Sequence, residues 1–349
     1  MLCAAATAAA PALGAAEAEE DEDALPPEYA GLLGELLGDE AFLRRLAGHL
    51  GTGQRHDDGA GWLGGELGSE LAEYVRCALP AGPCPPPLLG LFATCFRGAL
   101  EVDAYPPSDD TIRVMPTIAH PARPPPSPYP LVRTANQHCS EAPEVPAVVV
   151  EVGCGSGLLS AAVVRALAAR LGAAGGAGGA VPGVSMLATD LYEAAADLSA
   201  QVVGREIAEA GSAEWCSFRA VRGRFCEGCA AEGVVREDAV DLLFFNPPYV
   251  PSPEEELGEQ PSGTLLPGAL AACSGGTRGR SVMDEFLRRC ARPLLRPGGV
   301  CFVCGVEENA PDQLLEMARE ELGLQGALVR RGVSRGEEAL WVARLWKDP

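Results

Sequence analysis

The chain has 349 residues, of which 47% are hydrophobic and 21% charged, and its formal net charge is −21. This length suits one large α/β domain with an extension, and the mix of residues is typical of a soluble globular protein. Phosphate binding needs clustered Lys and Arg, so the negative charge argues against direct nucleic-acid binding. No run of about 18 or more apolar residues appears, and no membrane association is expected.

Residues 1–104 form an acidic segment with 5 basic and 17 acidic side chains. Its beginning is alanine-rich and then acidic, the reverse of a basic transit peptide. Apolar residues at helical spacing predict helices over 29–50, 67–79 and 88–100. We interpret the segment as a partly helical or disordered extension; the alternative is a docking module for a substrate or partner. The main domain is predicted over residues 105–349.

A run of β-branched residues predicts a buried strand over 148–152, which leads into Gly153, Gly155 and Gly157. An alanine-rich stretch over 158–171 then predicts a helix. Glycines in such a turn let the backbone approach a ligand, and the helix N-terminus offers unpaired N–H groups. The pattern is G-x-G-x-G and not the dinucleotide G-x-G-x-x-G. Glu151, just before the glycines, would repel a pyrophosphate but suits a cationic ligand.

The next predicted strands cover residues 184–189 and 215–221. The first of them ends at Asp190, an acid at the place where a ribose diol would be bound in a parallel sheet. The gap from the glycine turn to Asp190 is longer than usual, and the glycine-alanine tract over 172–180 accounts for it as a loop insertion.

The strand predicted over 240–245 runs directly into Asn246, Pro247, Pro248 and Tyr249. Ligands of parallel sheets bind beyond the carboxyl ends of the strands, so Asn246 is expected at the edge of a site. Two prolines fix two φ angles and leave rigid carbonyl groups. The Asn246 amide oxygen and a neighbouring carbonyl can hold both hydrogens of a planar –NH2 group, with Tyr249 packed on its plane. The alternative is an ordinary Asn-Pro turn that ends a strand.

Two late strands are predicted over 300–305 and 340–345, the second of them antiparallel. The fold class is therefore α/β: a seven-stranded, mostly parallel, Rossmann-like sheet with helices on both faces. The order of these features indicates an S-adenosylmethionine site: a strand, the glycine turn, a helix, a second strand, an acid and then Asn-Pro-Pro-Tyr. We expect Glu151 to hold the methionine amine, Asp190 the ribose, and the glycines to lie against the methionine end.

From about Tyr105 to the end, the chain resembles the HemK-type protein-(glutamine-N5) methyltransferases. It is most similar to the eukaryotic and archaeal branch that modifies class I release factors. Besides the two motifs above, matching segments follow one another in sequence order. They cover residues 105–111, 275–286, 295–300, 307–309, 323–326 and 336–340. Several matches in the same order make coincidence a poor explanation.

The resemblance implies a class I S-adenosylmethionine-dependent methyltransferase of translation termination. Its expected reaction is N5-methylation of the glutamine in the Gly-Gly-Gln motif of a class I release factor. The implied catalytic residues are Asn246, Pro247, Pro248 and Tyr249. The implied cofactor-binding residues are Thr111, Glu151, Gly153, Gly155, Gly157, Asp190 and Asn246. A heterodimer with a small zinc-binding activator subunit is also implied, in the cytoplasm or alternatively the nucleus.

The chain departs from the family pattern in two places. Repeated prolines within residues 115–146 exclude the amphipathic helix found there in the family and predict a loop insertion. The strand over 215–221 lacks the acid that meets the adenine amine, and Glu227 is the nearest candidate. Two alternative functions therefore stay open: methylation of a nucleic-acid amine such as adenine N6, and a non-catalytic subunit with this fold.

The chain contains 13 cysteines, which we expect to be free thiols in a reducing compartment. Cys301 and Cys304 lie three apart on a predicted strand and point to opposite faces, so they cannot hold one metal ion. Cys226 and Cys229 lie in a predicted loop without a second pair at zinc-finger spacing. We therefore expect no metal site.

The strand over 215–221 is expected at an edge of the sheet. Exposed apolar edges favour aggregation unless they are covered. The activator subunit would cover this edge by adding a strand to it. Alternatively, residues 1–104 would cover the edge within the same chain.

Overall fold

The computed structural model describes residues 86–102, 147–174, 183–226, 235–257, 268–333 and 339–348, and positions 36, 39, 41, 43, 44, 46, 107 and 111. The predicted helix over 67–79 and the predicted loop insertion over 115–146 lie outside these residues, as do Glu227 and Cys229. Most of the predicted helix over 29–50 also lies outside them.

A seven-stranded sheet forms the centre of the described fold. Its strands are β1 (Ala147–Val152), β2 (Val184–Asp190), β3 (Cys216–Arg222), β4 (Val240–Phe245), β5 (Leu295–Val306), β6 (Gln325–Val333) and β7 (Ala339–Trp346). The spatial order is β3-β2-β1-β4-β5-β7-β6. The first five strands pair in parallel, and β7 is antiparallel to both β5 and β6. This confirms the predicted fold class, including the antiparallel strand.

The central strands are buried on both faces, which explains their continuous apolar sequences. All six residues of β4 are buried. One hydrophobic cluster fills each side of the sheet, and Cys301 and Cys304 belong to different clusters. The prediction that these two cysteines face opposite sides of a strand is therefore confirmed.

Helices cover both faces. They are α1 (Pro86–Glu101), α2 (Leu158–Ala174), α3 (Glu193–Glu209), α4 (Gly268–Cys273), α5 (Ser281–Phe286), α6 (Arg292–Leu294) and α7 (Pro311–Leu322). A π-helical turn, Leu287–Ala291, joins α5 to α6. The helices predicted over 158–171 and 88–100 are confirmed as α2 and α1. In the part of the chain that the structure describes, no helix has the length and apolarity to cross a membrane.

The described residues of the N-terminal segment pack on one face of the sheet. Helix α1 contacts α2 and α3. Leu36, Leu43 and Leu46 are buried in the same cluster as Phe92 and Phe96 of α1. These residues form a helical layer over α2 and α3. The predicted domain boundary at residue 105 stays a prediction.

The two edge strands differ in how well the sequence predicts them. Strand β3 lies at one edge of the sheet, as predicted for the strand over 215–221, and its bounds differ from the predicted ones by one residue. Strand β6, the opposite edge, was not located in the sequence. It carries Arg330 and Arg331 and contains a register shift between Leu328 and Arg330. Both features interrupt the alternation of apolar and polar residues by which a half-buried strand is found.

The strand order reverses between β1 and β4. These neighbours pair in parallel, from Val149 opposite Leu242 to Val152 opposite Phe245. From β1 the chain proceeds outward to β2 and β3, and then returns to β4 on the other side. A crevice outside the carboxyl ends of the strands at such a reversal is where open α/β sheets bind ligands.

Candidate functional site

A pocket of about 310 Å³ opens at the carboxyl ends of β1 and β4. All the predicted site residues except Gly157 line it. These are Thr111, Glu151, Gly153, Gly155, Asp190, Asn246, Pro247, Pro248 and Tyr249. The fold thus brings together residues that are up to 138 positions apart in the sequence (111 to 249).

The three glycines of the turn after β1 all have left-handed backbone, with φ values of 63°, 49° and 79°. A Cβ atom on Gly153 would come within 2.7 Å of the Phe245 ring. A Cβ atom on Gly157 would come within 2.8 Å of the Ser199 Cα in α3. Gly157 therefore permits close packing of α3 against the turn. The expectation that it lies against the methionine end stays a prediction.

Glu151 is buried near the end of β1 and accepts a hydrogen bond from the Ser160 hydroxyl of α2. Burial raises the pKa of Glu151 to about 8, the Ser160 hydrogen bonds oppose the shift, and the nearby Asp190 charge adds to it. The carboxyl group is thus held in place without being fully stabilised in its ionised form.

Asp190 ends β2 and connects two turns. Its carboxylate accepts hydrogen bonds from the Gly155 N–H at 2.9 Å and from the Tyr192 N–H at 3.0 Å. Burial raises the pKa of Asp190, while these backbone donors lower it. The Asp190 side chain therefore fixes the glycine turn relative to the start of α3.

Within the described ranges, neither Glu151 nor Asp190 forms an ion pair with Lys or Arg. Cys154 lies between them, and burial together with these two acids raises the pKa of its thiol. Buried carboxyl groups without a cationic partner are costly and favour a positively charged ligand. The sulfonium and ammonium groups of S-adenosylmethionine are such charges, so this part of the pocket fits the predicted cofactor.

The Asn246 side chain is held from two sides. Its Nδ2 donates to the Thr111 Oγ1 at 3.3 Å, and the Cys304 thiol of β5 donates to its Oδ1 at 2.7 Å. An amide oxygen can accept two hydrogen bonds, so the thiol does not preclude a second donor. Cys304 was missed as a site residue, because no local pattern shows that β5 places it beside Asn246.

Beyond β3, the pocket is lined by Gly223, Arg224 and Phe225. The Arg224 guanidinium lies 5.3 Å from the centre of the Phe225 ring and forms an ion pair with Glu285. Phe225 has a left-handed φ of 51°. At this end of the described pocket the lining offers an aromatic ring and an arginine instead of the acid found in the family.

The described residues contain no group of three or more potential metal ligands. Cys226 is buried beside Phe225 in sequence, and its potential partner Cys229 lies outside the described ranges. The expectation that the chain holds no metal stays a prediction.

The strand order, with an antiparallel strand inserted next to β5, and the glycine turn at the reversal point define the class I S-adenosylmethionine-dependent methyltransferase fold. No protein-family model matches the chain. Curated relatives do match part of the chain, and they are named as HEMK2, eRF1 and release factor glutamine methyltransferases.

Three relatives illustrate this. "Methyltransferase HEMK2" of Mus musculus is 43% identical over 111 residues, 31% of this chain and 46% of the relative. The "eRF1 methyltransferase catalytic subunit mtq2" of Schizosaccharomyces pombe is 29% identical over 118 residues, 33% and 47% of the two chains. The "Release factor glutamine methyltransferase" of Gloeobacter violaceus is 28% identical over 172 residues, 49% and 50%. The chain spans about half the length of the curated relatives it matches.

Among solved structures, the O-methyltransferase from Bacillus cereus matches 69% of this chain and 92% of its own, with 11% identity and a TM-score of 0.35. A likeness this distant adds nothing to what the strand order shows about the fold.

Proposed function

We propose that the chain is an S-adenosylmethionine-dependent methyltransferase that modifies the glutamine of the Gly-Gly-Gln motif in a class I release factor. One observation carries the proposal. An amide clamp, formed by Asn246 with its supports Thr111 and Cys304, lies in the same pocket as two buried acids that have no described cationic partner. The names of the matched relatives support the glutamine and the release factor as substrate.

The bound cofactor would supply an activated methyl group. Glu151 and Asp190 would bind its charged and hydroxyl groups, and Gly155 would leave room for it, since a Cβ atom there would meet no protein atom within 4 Å. The main contribution of these residues would be alignment of the reacting groups.

The substrate amide would lie across the Asn-Pro-Pro-Tyr segment. Asn246 Oδ1 and the Pro247 carbonyl would accept its two N–H groups, and Tyr249 would pack on the amide plane. This arrangement directs the nitrogen lone pair towards the methyl group. After methylation the nitrogen carries one proton too many, which water can accept, so no general base is required from the chain.

The test is methyl transfer to two kinds of acceptor. Wild-type protein with labelled cofactor is expected to methylate a release factor at the Gly-Gly-Gln glutamine, detected by mass spectrometry, and not to methylate duplex DNA. Asn246→Ala should lower turnover by about 100-fold or more with nearly unchanged cofactor affinity, because the lost amide oxygen would orient the substrate –NH2 group. Transfer to adenine in DNA would instead establish the alternative substrate. Cofactor binding without any transfer would indicate a non-catalytic subunit.

The proposed assembly includes a small zinc-binding activator. Phe218 and Val221 of β3 are half-buried, and among the described residues no further strand pairs with the outer edge of β3. Strand addition by the activator would cover this edge. We expect poor solubility or low activity of the chain alone and recovery on co-expression. A soluble, active monomer would exclude the requirement and favour cover by residues 1–104. A cytoplasmic location is part of the same proposal.

A further inference from the structure

Asn309 is a buried side chain next to the site, at the turn that follows β5. Its Oδ1 accepts a hydrogen bond from the Val306 N–H at 2.7 Å. Its Nδ2 donates to two backbone carbonyls, those of Tyr249 at 2.8 Å and Arg278 at 2.9 Å. Both hydrogens of the amide are therefore used, each on a different loop.

The two loops joined by Asn309 touch through their backbones. A Cβ atom on Gly279 would overlap the Tyr249 carbonyl oxygen, and one on Gly275 would come within 2.7 Å of the Pro248 carbonyl oxygen. Side chains at these two positions would push the loops apart, so donors to the loop carbonyls come from another element. Asn309 supplies those donors from the end of β5.

Two residues beside the Asn309 side chain have strained backbone conformations. Arg278 and Ala310 both have left-handed φ values, 56° and 50°. Such values are uncommon for residues other than Gly, Asn and Asp, and they persist where surrounding contacts fix them. Ala310 follows Asn309 directly, and the Arg278 carbonyl is one of its acceptors.

We propose that Asn309 is a positioning residue for the Asn-Pro-Pro-Tyr segment. The inference rests on the proposed function, which it deepens. The two prolines make the segment stiff, so fixing its two ends fixes the whole. Thr111 and Cys304 hold the Asn246 end. Asn309 holds the Tyr249 end, and with it the ring that would pack on the substrate amide and, through the stiff segment, the Pro247 carbonyl that would accept from it.

Asn309→Asp tests the proposal with a side chain of the same shape. Aspartate keeps the acceptor for Val306 but places an oxygen, with no hydrogen to donate, against the Tyr249 and Arg278 carbonyls. The matched control is Gln313→Ala. Gln313 is exposed and accepts a hydrogen bond from the Arg278 side chain, so this variant disturbs the same turn without touching Asn309.

Three properties of the full-length chain are measured: cofactor affinity by calorimetry, kcat and KM for methyl transfer, and amide hydrogen exchange. Asn309→Asp should lower kcat/KM by about 100-fold, the cost of a small misplacement of reacting groups. Its cofactor Kd should stay within about threefold of wild type, because Glu151 and Asp190 are unaffected. Exchange should become faster over residues 246–252 and stay unchanged in β1. Gln313→Ala should match wild type in all three.

Activity of Asn309→Asp should recover partly as the pH falls, because a protonated carboxyl regains one donor. Equal kcat/KM in a folded Asn309→Asp protein, or a parallel loss of cofactor affinity, would overturn the proposal. If wild type shows no methyl transfer, the proposed function fails. The positioning role then stands only if exchange over 246–252 still separates Asn309→Asp from Gln313→Ala.

A second variant covers the case in which Asn309→Asp does not fold. Gly279→Ala keeps the Asn309 side chain but places a Cβ atom against both the Tyr249 carbonyl oxygen and Asn309 Nδ2, so it disturbs the same contact. Like Asn309→Asp, this variant should have a lower kcat/KM than wild type and a nearly unchanged cofactor affinity. Unchanged kcat/KM in this variant would show that the position of the Tyr249 carbonyl does not matter for transfer.

Discussion

The buried acids of the described chain fall into two pairs. Glu206 accepts a hydrogen bond from Arg165 at 2.7 Å, between α2 and α3. Asp241 forms an ion pair with Arg296 and accepts from the Val148 N–H at 2.7 Å, at the amino ends of the strands. Glu151 and Asp190 lie at the opposite ends of the strands, where only hydroxyl and backbone donors are described for them.

This difference distinguishes the two pairs, whereas burial does not. All four carboxyl groups are less than 10% exposed. An arginine beside a buried acid balances its charge in the folded protein. An acid without one is stabilised fully only when a ligand brings the positive charge, and the two such acids line the pocket.

Asp241→Ala is expected to give the largest effect, and on stability alone. It leaves Arg296 without its partner, and the free energy of unfolding should fall by about 2–4 kcal/mol. The loss is smaller than for a fully buried pair because the Arg296 side chain is 19% exposed. Urea denaturation measures it. Cofactor affinity of the folded fraction should not change. A clear loss of affinity would show that acids at both ends of the strands affect cofactor binding.

Asp190→Ala should show the reverse pattern. Cofactor affinity should fall by about 10- to 100-fold, because the variant loses a charged hydrogen-bond acceptor and releases the Gly155 and Tyr192 N–H groups. Calorimetry measures the affinity, with Asp241→Ala as the control of similar chemistry. Affinity unchanged from wild type would remove Asp190 from the cofactor site.

Glu151→Gln tests the charge state of a pocket acid through the pH dependence of the free energy of unfolding. Burial raises the folded-state pKa of Glu151 from its ordinary value of 4.5 to about 8. Between these values the folded chain retains a proton that the unfolded chain has released. The free energy of unfolding of the cofactor-free chain therefore falls as pH rises from 4.5 to about 8.

The variant lacks this titration, so relative to wild type it should gain about 1–3 kcal/mol between pH 5 and pH 8. Denaturation of both proteins at the two pH values provides the measurement. The difference between the proteins is used because Asp190 titrates in both. Identical changes with pH in the two proteins would show that Glu151 is ionised in the folded state.

The sequence located those parts of the fold and site that have local causes. Strand β4 is a continuous apolar run, and the turn after β1 needs three left-handed glycines. The contacts of Cys304 and Asn309 with the site have no local cause. The two residues lie 58 and 60 residues from their partners Asn246 and Tyr249, and only the pairing of β4 with β5 brings them there. The role of Gly157 likewise depends on where α3 crosses the turn.

The amide clamp also has a consequence for folding. Its contacts join Asn246 to Thr111 across 135 residues and to Cys304 across 58. Contacts of such long range require closure of large loops, and chains dominated by them fold slowly. A nascent chain that has not yet reached β5 lacks Cys304 altogether. The proposed methyl transfer would therefore require the completely folded chain, and an aborted or half-folded product should contribute no background.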